Sequence, residues 1–389
     1  MIEDLVKRHE EWRSQCINLI PSENIMSPRA RAVLSSDLGH RYTSPDKFYT
    51  GTKYIDQIIE EGEKLAKKVF RCKFADLRPI SGHVADLSLL MAFRGKSMAC
   101  IGEADGGYPG ISQDNAPSVL GIKVHYLPYK QEEANIDLKG SIKLIEEKKP
   151  NLVILGASFI PMPYPVSEIS AAAHKVGALL AYDASHVMGL IAGKKFQQPL
   201  AEGADIMMGS THKTLPGPQG GIILGNSFEE IKEHLLFKTI DNAHFHRIAA
   251  LAVTLEEMQK FGEAYASQIV KNSKKLASLL DEAGIPLKCK SKGFTESHQI
   301  LVNAWDFQVK FEKSWVDIVN KLEEANVIMD RAGRIGTNEV TRIGMKEGEM
   351  EKICDLILRA VKGEKKEDIN KEAVKLKSQF TKVHYCFTN

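Results

Sequence analysis

Little in this sequence points toward a membrane, a nucleic acid or an oxidising compartment. No apolar run approaches the roughly 20 residues that a membrane helix needs. The start, Met-Ile-Glu-Asp-Leu-Val-Lys-Arg, carries early acids and no long apolar core, so it does not read as a secretion signal. The 52 lysines and arginines nearly balance 50 aspartates and glutamates, which gives no argument for phosphate backbones or anionic lipid as partners. Six cysteines (16, 72, 100, 289, 354 and 386) are scattered without any Cys-x-x-Cys spacing. That pattern predicts reduced side chains in a cytoplasm rather than disulfides or metal ligands. His244-Phe-His246 has no further close ligands, so no metal is expected. Internal repeats and low-complexity linkers are absent as well.

What is present is an ordinary globular composition, 43% hydrophobic and 26% charged. At 389 residues the chain exceeds the comfortable size of one core. We expect an N-terminal arm (1–30), a large domain (31–255) and a small C-terminal domain (256–389).

The chain is organised around residues 178–221. Ala178 to Tyr182 is a short apolar run that reads as a buried strand ending at Asp183, and Ala204 to Gly209 reads as a second. Lys213 lies just past the second run, where Gly217, Pro218, Gly220 and Gly221 force a turn. Ligands of open α/β sheets sit outside the carboxyl ends of the strands. Two parallel strands would therefore place a carboxylate and an ammonium in one crevice. That pair suits pyridoxal phosphate: the amine condenses with the aldehyde, and the aspartate keeps the ring nitrogen protonated. Taken singly, Lys213 reads as a surface lysine and Asp183 as a helix cap.

Asp183-Ala-Ser-His-Val-Met-Gly-Leu-Ile-Ala, followed by Thr211-His-Lys-Thr-Leu-Pro-Gly-Pro-Gln-Gly-Gly, resembles serine hydroxymethyltransferase. The resemblance runs from residue 17 to about 345. It implies a fold-type I pyridoxal-5′-phosphate enzyme, with a mostly parallel central sheet covered by helices and a smaller α+β C-terminal domain. It also implies a homodimer with shared sites. By the resemblance Lys213 carries the cofactor, Asp183 partners the pyridine nitrogen and His186 lies beside the cofactor's ring oxygen. Ser210 and His212 fall within the same cofactor motif.

Further motifs extend the likeness. Ile17-Asn-Leu-Ile-Pro-Ser-Glu-Asn24 matches a signature whose serine helps hold the substrate carboxylate, which assigns that role to Ser22; alone it reads as a cap or turn. Tyr42 and Tyr49 fall on the tyrosines of a loop that lines the site across the dimer interface, although such a cluster could equally be packing or an interface rim. Ser81-Gly82-His83 opens a helix with Val84, Leu87, Leu90 and Met91 on one face, and a helix start of this kind binds phosphate. The related turn reads Ser-Gly-x-x-Ala-Asn, and here Asp86 replaces the asparagine. Gly106-Gly107-Tyr108 stands where the family has Gly-Gly-His, so Tyr108 is expected to stack on the cofactor ring in place of the imidazole. Ser158 could reach the cofactor by position alone. Gly333-Arg-Ile-Gly-Thr337 matches an arginine signature, and Arg334 would grip the α-carboxylate with a two-point fork.

Other stretches read as scaffold. Helices are expected at residues 2–15, from Ile55 to Phe70, from Val166 to Val176, and over a long stretch from His246 to Leu280. Residues 363–382 read as an exposed, lysine-rich C-terminal helix.

The departures concern the second substrate. Folate-using members carry a glutamate in the tyrosine loop; here Tyr42-Thr43-Ser44-Pro45-Asp46 puts Ser44 in its place, and Asp46 could substitute only in a rebuilt loop. A pterin-contacting asparagine falls near Ala332, the Gly-Pro-Arg-Gly-Gly turn becomes Gly-Pro-Gln219-Gly-Gly, and a glycine-rich segment becomes Asp241-Asn-Ala-His-Phe. The expectation is a divergent member without folate-site features. It would act at Cα of a small amino acid by aldol cleavage or condensation between glycine and an aldehyde. The alternatives are a folate-dependent serine hydroxymethyltransferase, a racemase or transaminase, and a non-catalytic cofactor-binding subunit.

Overall fold

The computed structural model describes residues 1–44 and 48–388. The chain forms two compact units, one of residues 24–266 with 385–389 and the other of residues 1–23 with 267–384.

The larger unit is built on a seven-stranded sheet. Its strands are β1 (Phe74–Asp76), β2 (Ser97–Cys100), β3 (Lys123–Tyr126), β4 (Leu152–Leu155), β5 (Leu179–Asp183), β6 (Ile206–Ser210) and β7 (Gly221–Gly225), in the order β1-β7-β6-β5-β4-β2-β3. The five strands from β6 to β3 are paired in parallel. Only β7 runs against its neighbours, pairing antiparallel with β6 and with β1. Strands buried on both faces read as continuous apolar runs, and β4 is the clearest case. Leu152, Val153, Ile154 and Leu155 are all at 0% exposure, each worth about 1.5–3 kcal/mol of transfer free energy. Met207 and Met208 of β6 are core residues.

The helices follow the periodicity of the sequence. Lys53–Phe70 buries Ile55, Gly62, Ala66 and Phe70 along one stripe and ends at Arg71, which adopts the left-handed conformation. Val166–Lys175 links β4 to β5, the crossover that a parallel pair requires. The 38-residue helix Phe245–Glu282 begins in the larger unit and ends in the smaller.

The smaller unit has two short ladders. Ile17–Asn18 pairs in parallel with Val327–Ile328, and Gln299–Leu301 pairs antiparallel with Arg334–Gly336. Around them lie Trp315–Glu324, Glu347–Val361 and Lys366–Lys377. The last helix corrects the expectation of an exposed C-terminal segment: Ile369, Ala373 and Leu376 are buried. Their spacing of four and three residues makes an apolar stripe, which the surrounding lysines hide from a composition-based reading. The N-terminal helix Ile2–Ser14 is the opposite case. It buries no residue and exposes Ile2, Leu5 and Val6.

Among the described residues no helix is long and apolar enough to cross a membrane, and no group of three or more histidine, cysteine, aspartate or glutamate side chains could hold a metal ion. All six cysteines are free.

Candidate active site

The carboxyl ends of β5 and β6 set Asp183 and Lys213 on one rim of the sheet. Asp183 closes β5, is 6% exposed, and accepts a hydrogen bond from the Ser185 backbone N–H at 2.9 Å. It fits there because Gly156, just past β4, has no side chain. A Cβ at Gly156 would lie 2.4 Å from the Asp183 carbonyl oxygen, and its φ of +132° is one that other residues rarely adopt.

Thr214 ties the two loops together. Its hydroxyl donates to the His186 carbonyl at 2.7 Å and accepts from the Gly189 N–H at 3.0 Å. His186, 4% exposed, is thereby tied through its backbone carbonyl to the lysine turn. On the other side, the Asn24 amide donates to the Lys213 carbonyl at 2.5 Å and to the Tyr265 hydroxyl at 2.9 Å. The turn itself is closed by Thr211, whose hydroxyl donates to the Pro218 carbonyl at 2.7 Å.

Beside this pair lies the start of the helix Gly82–Ala92. The Ser81 hydroxyl caps it, accepting from the Val84 N–H at 3.1 Å. Ser210 stands against the same start: a Cβ at Gly82 would be 2.4 Å from its hydroxyl oxygen. Only glycine leaves that approach open. The Ser185 hydroxyl accepts from the Ser210 N–H at 3.0 Å, which links this corner to the Asp183 loop. His212, before the lysine, keeps a buried Nδ1 with no hydrogen-bond partner. Burial, with Lys213 adding to it, lowers its pKa to about 4, so the imidazole is neutral near pH 7.

Tyr108, after β2, sits edge-on to His83 with ring centres 5.9 Å apart and its hydroxyl 3.2 Å from His83 Nδ1. Burial first, with the charge of Asp183 adding to it, pushes the phenol up. The tyrosine therefore lies within electrostatic reach of both acidic side chains, Asp86 and Asp183. Ser158 is anchored through its backbone N–H to the Gly106 carbonyl at 2.8 Å.

These residues fit the cofactor expected from the sequence. A phosphate needs backbone donors and small side chains, which Ser81, Gly82 and Ser210 present at a helix start. A protonated ring nitrogen needs a fixed carboxylate, which Asp183 could supply. The aldehyde needs an amine, which Lys213 could supply.

Two expected site residues lie in the smaller unit. Arg334 opens its strand with Nε donating to Asp330 at 2.8 Å, so this guanidinium is oriented by an acid that the sequence reading did not assign. Gly336, two residues on, packs against Pro21, and the Gly336 N–H donates to the Leu19 carbonyl at 2.7 Å. This places the segment carrying Ser22 beside the strand carrying Arg334. Tyr42 and Tyr49 belong to the larger unit, are 49% and 41% exposed, and have ring centres 5.5 Å apart, tilted at 46° to each other. Asp46 lies outside the described residues.

Sequence reasoning missed Thr214 and Arg247. Arg247 is 4% exposed and donates through Nη2 to the carbonyls of Leu77, Arg78 and Ala243. Its Nη1 would be 2.5 Å from a Cβ at Gly220, so the guanidinium fills the space beneath the lysine turn. An arginine heading the apolar run Ile248-Ala-Ala-Leu251 was the available signal.

Residues 1–357 match the family described as serine hydroxymethyltransferase. The serine hydroxymethyltransferase of Methanocaldococcus jannaschii is 40% identical over 409 aligned positions, covering 99% of this chain and 95% of that one. The enzyme of that name from Methanothermobacter marburgensis is 41% identical over 408, with 99% and 95% covered. Among solved structures, L-threonine transaldolase from Pseudomonas fluorescens, in its internal aldimine state, superposes with a TM-score of 0.89 at 26% identity, covering 99% of this chain and 93% of that one. The chain therefore belongs to the serine hydroxymethyltransferase family, as a fold-type I, pyridoxal-5′-phosphate-dependent enzyme of the transferase and aldolase kind that works at Cα of amino acids.

Proposed function

We propose that this enzyme makes and breaks the Cα–Cβ bond of a small β-hydroxy amino acid without folate, interconverting it with glycine and an aldehyde. The observation that carries the reading is selective loss. By the resemblance, the groups for cofactor and carboxylate are kept, while Ser44, Gln219 and Asp241 stand at, and Ala332 near, the positions where folate-using members have their second-substrate groups. An alignment of 409 positions over a chain of 389 residues also leaves the relative with stretches that have no counterpart here. Ser44 and Asp241 line one cavity together with Asp56, Glu60, Glu63 and Arg78. That wall sets four carboxylates against one guanidinium, itself paired with Asp76 at 2.6 Å, and disfavours an anionic second substrate such as a folate. The likeness to an enzyme named for transaldol chemistry on L-threonine points the same way.

When bound, the cofactor supplies an electron sink for the pair left at Cα. The protein does the rest. Ser81, Gly82 and Ser210 would hold the phosphate, Asp183 would keep the ring nitrogen protonated, and Lys213 would supply the amine that holds the aldehyde. His186, with its backbone clamped by Thr214, lies beside the ring oxygen, and neutral His212 and Tyr108 complete the pocket. Arg334 and Ser22 are assigned the α-carboxylate, and Tyr42 and Tyr49 the substrate side, on the resemblance alone. In the cleavage direction the β-hydroxyl loses its proton as the aldehyde forms, and Cα takes up a proton to give glycine.

A folate-dependent serine hydroxymethyltransferase is the second reading, favoured by the names of the relatives at 40% identity. One experiment separates the two. The holoenzyme is given L-threonine, allo-threonine, serine and alanine, with and without tetrahydrofolate, and the products are identified. The expected result is aldehyde release from β-hydroxy acids at a rate that tetrahydrofolate does not change. Serine turnover that rises with tetrahydrofolate would establish the second reading, and racemised alanine or a keto acid would sink both.

The assembly we propose is a homodimer. Its support is the N-terminal helix Ile2–Ser14, whose Ile2, Leu5 and Val6 are uncovered in one chain. Light scattering on the purified protein should give twice the 43.2 kDa of the chain; a monomer mass at micromolar concentration would refute it.

A further inference from the structure

Asp86 is a buried acid for which the chemistry above has no use. It sits in the helix Gly82–Ala92, one turn past the proposed phosphate site, and is 2% exposed. One of its carboxyl oxygens is buried and finds no hydrogen-bond partner. A carboxylate in such a place is costly, because a buried charge needs a partner or several donors. Its charged neighbours come from the ends of two strands: Asp183, which repels it, and Lys213, which attracts it. Tyr108, in the loop after β2, lies within electrostatic reach of it. The strands β6 and β7 pack on the same helix and carry no titratable side chain, and none of the charged residues of Glu229–His234, which also packs there, perturbs it. Burial dominates and, with Asp183, holds the carboxyl well above its usual range.

The position is the one that the related Ser-Gly-x-x-Ala-Asn turn gives to asparagine. A protonated carboxyl has nearly the shape of that amide and, like it, offers a donor without charge. We propose that Asp86 stays a neutral carboxylic acid and uses its unpartnered end to donate a hydrogen bond to the cofactor held between Lys213 and Asp183. The acid thus positions the cofactor instead of capping or stabilising the helix. The inference rests on the Lys213 site proposed above.

The test uses holoenzyme carrying Asp86→Asn or Asp86→Ala. Two quantities are read beside activity: the pH titration of the visible cofactor band and the cofactor dissociation constant. Asparagine keeps a neutral donor, so the band should titrate as in the wild type and affinity should hold within about threefold. Alanine removes the donor and should weaken cofactor binding about tenfold. A shift of about one pH unit or more in the asparagine variant would show that Asp86 is an anion. An unchanged alanine variant would show that the residue only fills space. If the alanine variant does not fold, the infrared spectrum of the wild-type apoprotein decides. A protonated-carboxyl stretch at pH 7 that is absent from the asparagine variant is expected, and its absence from the wild type overturns the proposal. Failure of the Lys213 site itself would appear separately, as a cofactor attached to another lysine.

Discussion

Replacing Lys213 by alanine is expected to remove the visible absorbance band of the bound cofactor and to end amino-acid turnover. The lysine lies in the turn after β6, with Asp183 at the end of the neighbouring parallel strand. Its backbone is anchored by Asn24 and its loop by Thr214. No other side chain with a condensable amine comes from those two strand ends. Loss of the attachment point should lower turnover by ~10⁴ or more, about 5 kcal/mol of barrier. The cofactor would still find the helix start at Ser81 and Gly82, so weak, non-covalent binding should persist. A variant that kept a reducible covalent cofactor would place the chemistry at a different lysine.

Arg334→Lys should damage amino-acid binding far more than cofactor binding. The Arg334 side chain is 15% exposed and its guanidinium is oriented through Nε by Asp330. An ammonium keeps the charge but cannot give the planar two-point contact that a carboxylate accepts. Truncating one such desolvated pair costs about 2–5 kcal/mol, which corresponds to roughly 30- to 4,000-fold in apparent affinity. Steady-state kinetics on the preferred amino acid check this: KM should rise strongly while the cofactor titration stays near wild type. A KM within twofold of wild type would mean that the carboxylate is held elsewhere.

The parts of this fold that were legible in the sequence share a physical cause. Strands buried on both faces must be short, continuous apolar runs, so β4, β5 and β6 stand out, and the reactive residues follow at their carboxyl ends. The helix Phe245–Glu282 is long enough for its period to be unmistakable. Charge hid other features. The buried stripe of Ile369, Ala373 and Leu376 lies among lysines, and burial of such a stripe depends on what packs against it. Arg247 reads as a surface residue until the carbonyls that surround it are placed. The same holds for the Asp330 partner of Arg334, since an acid four residues upstream is common and becomes meaningful only when a tight turn folds it back. Asp86 was visible as a departure from a motif, but its missing hydrogen-bond partner could be seen only in three dimensions.

The central claim is that the chemistry is run from Lys213, in the turn after β6, and it can be tested without knowing the substrate. Holoenzyme reduced with borohydride, digested and analysed by mass spectrometry should carry the phosphopyridoxyl mass on the peptide containing Ser210-Thr-His-Lys213, and on no other. The same mass on a peptide from any other part of the chain, with Lys213 unmodified, would contradict the account.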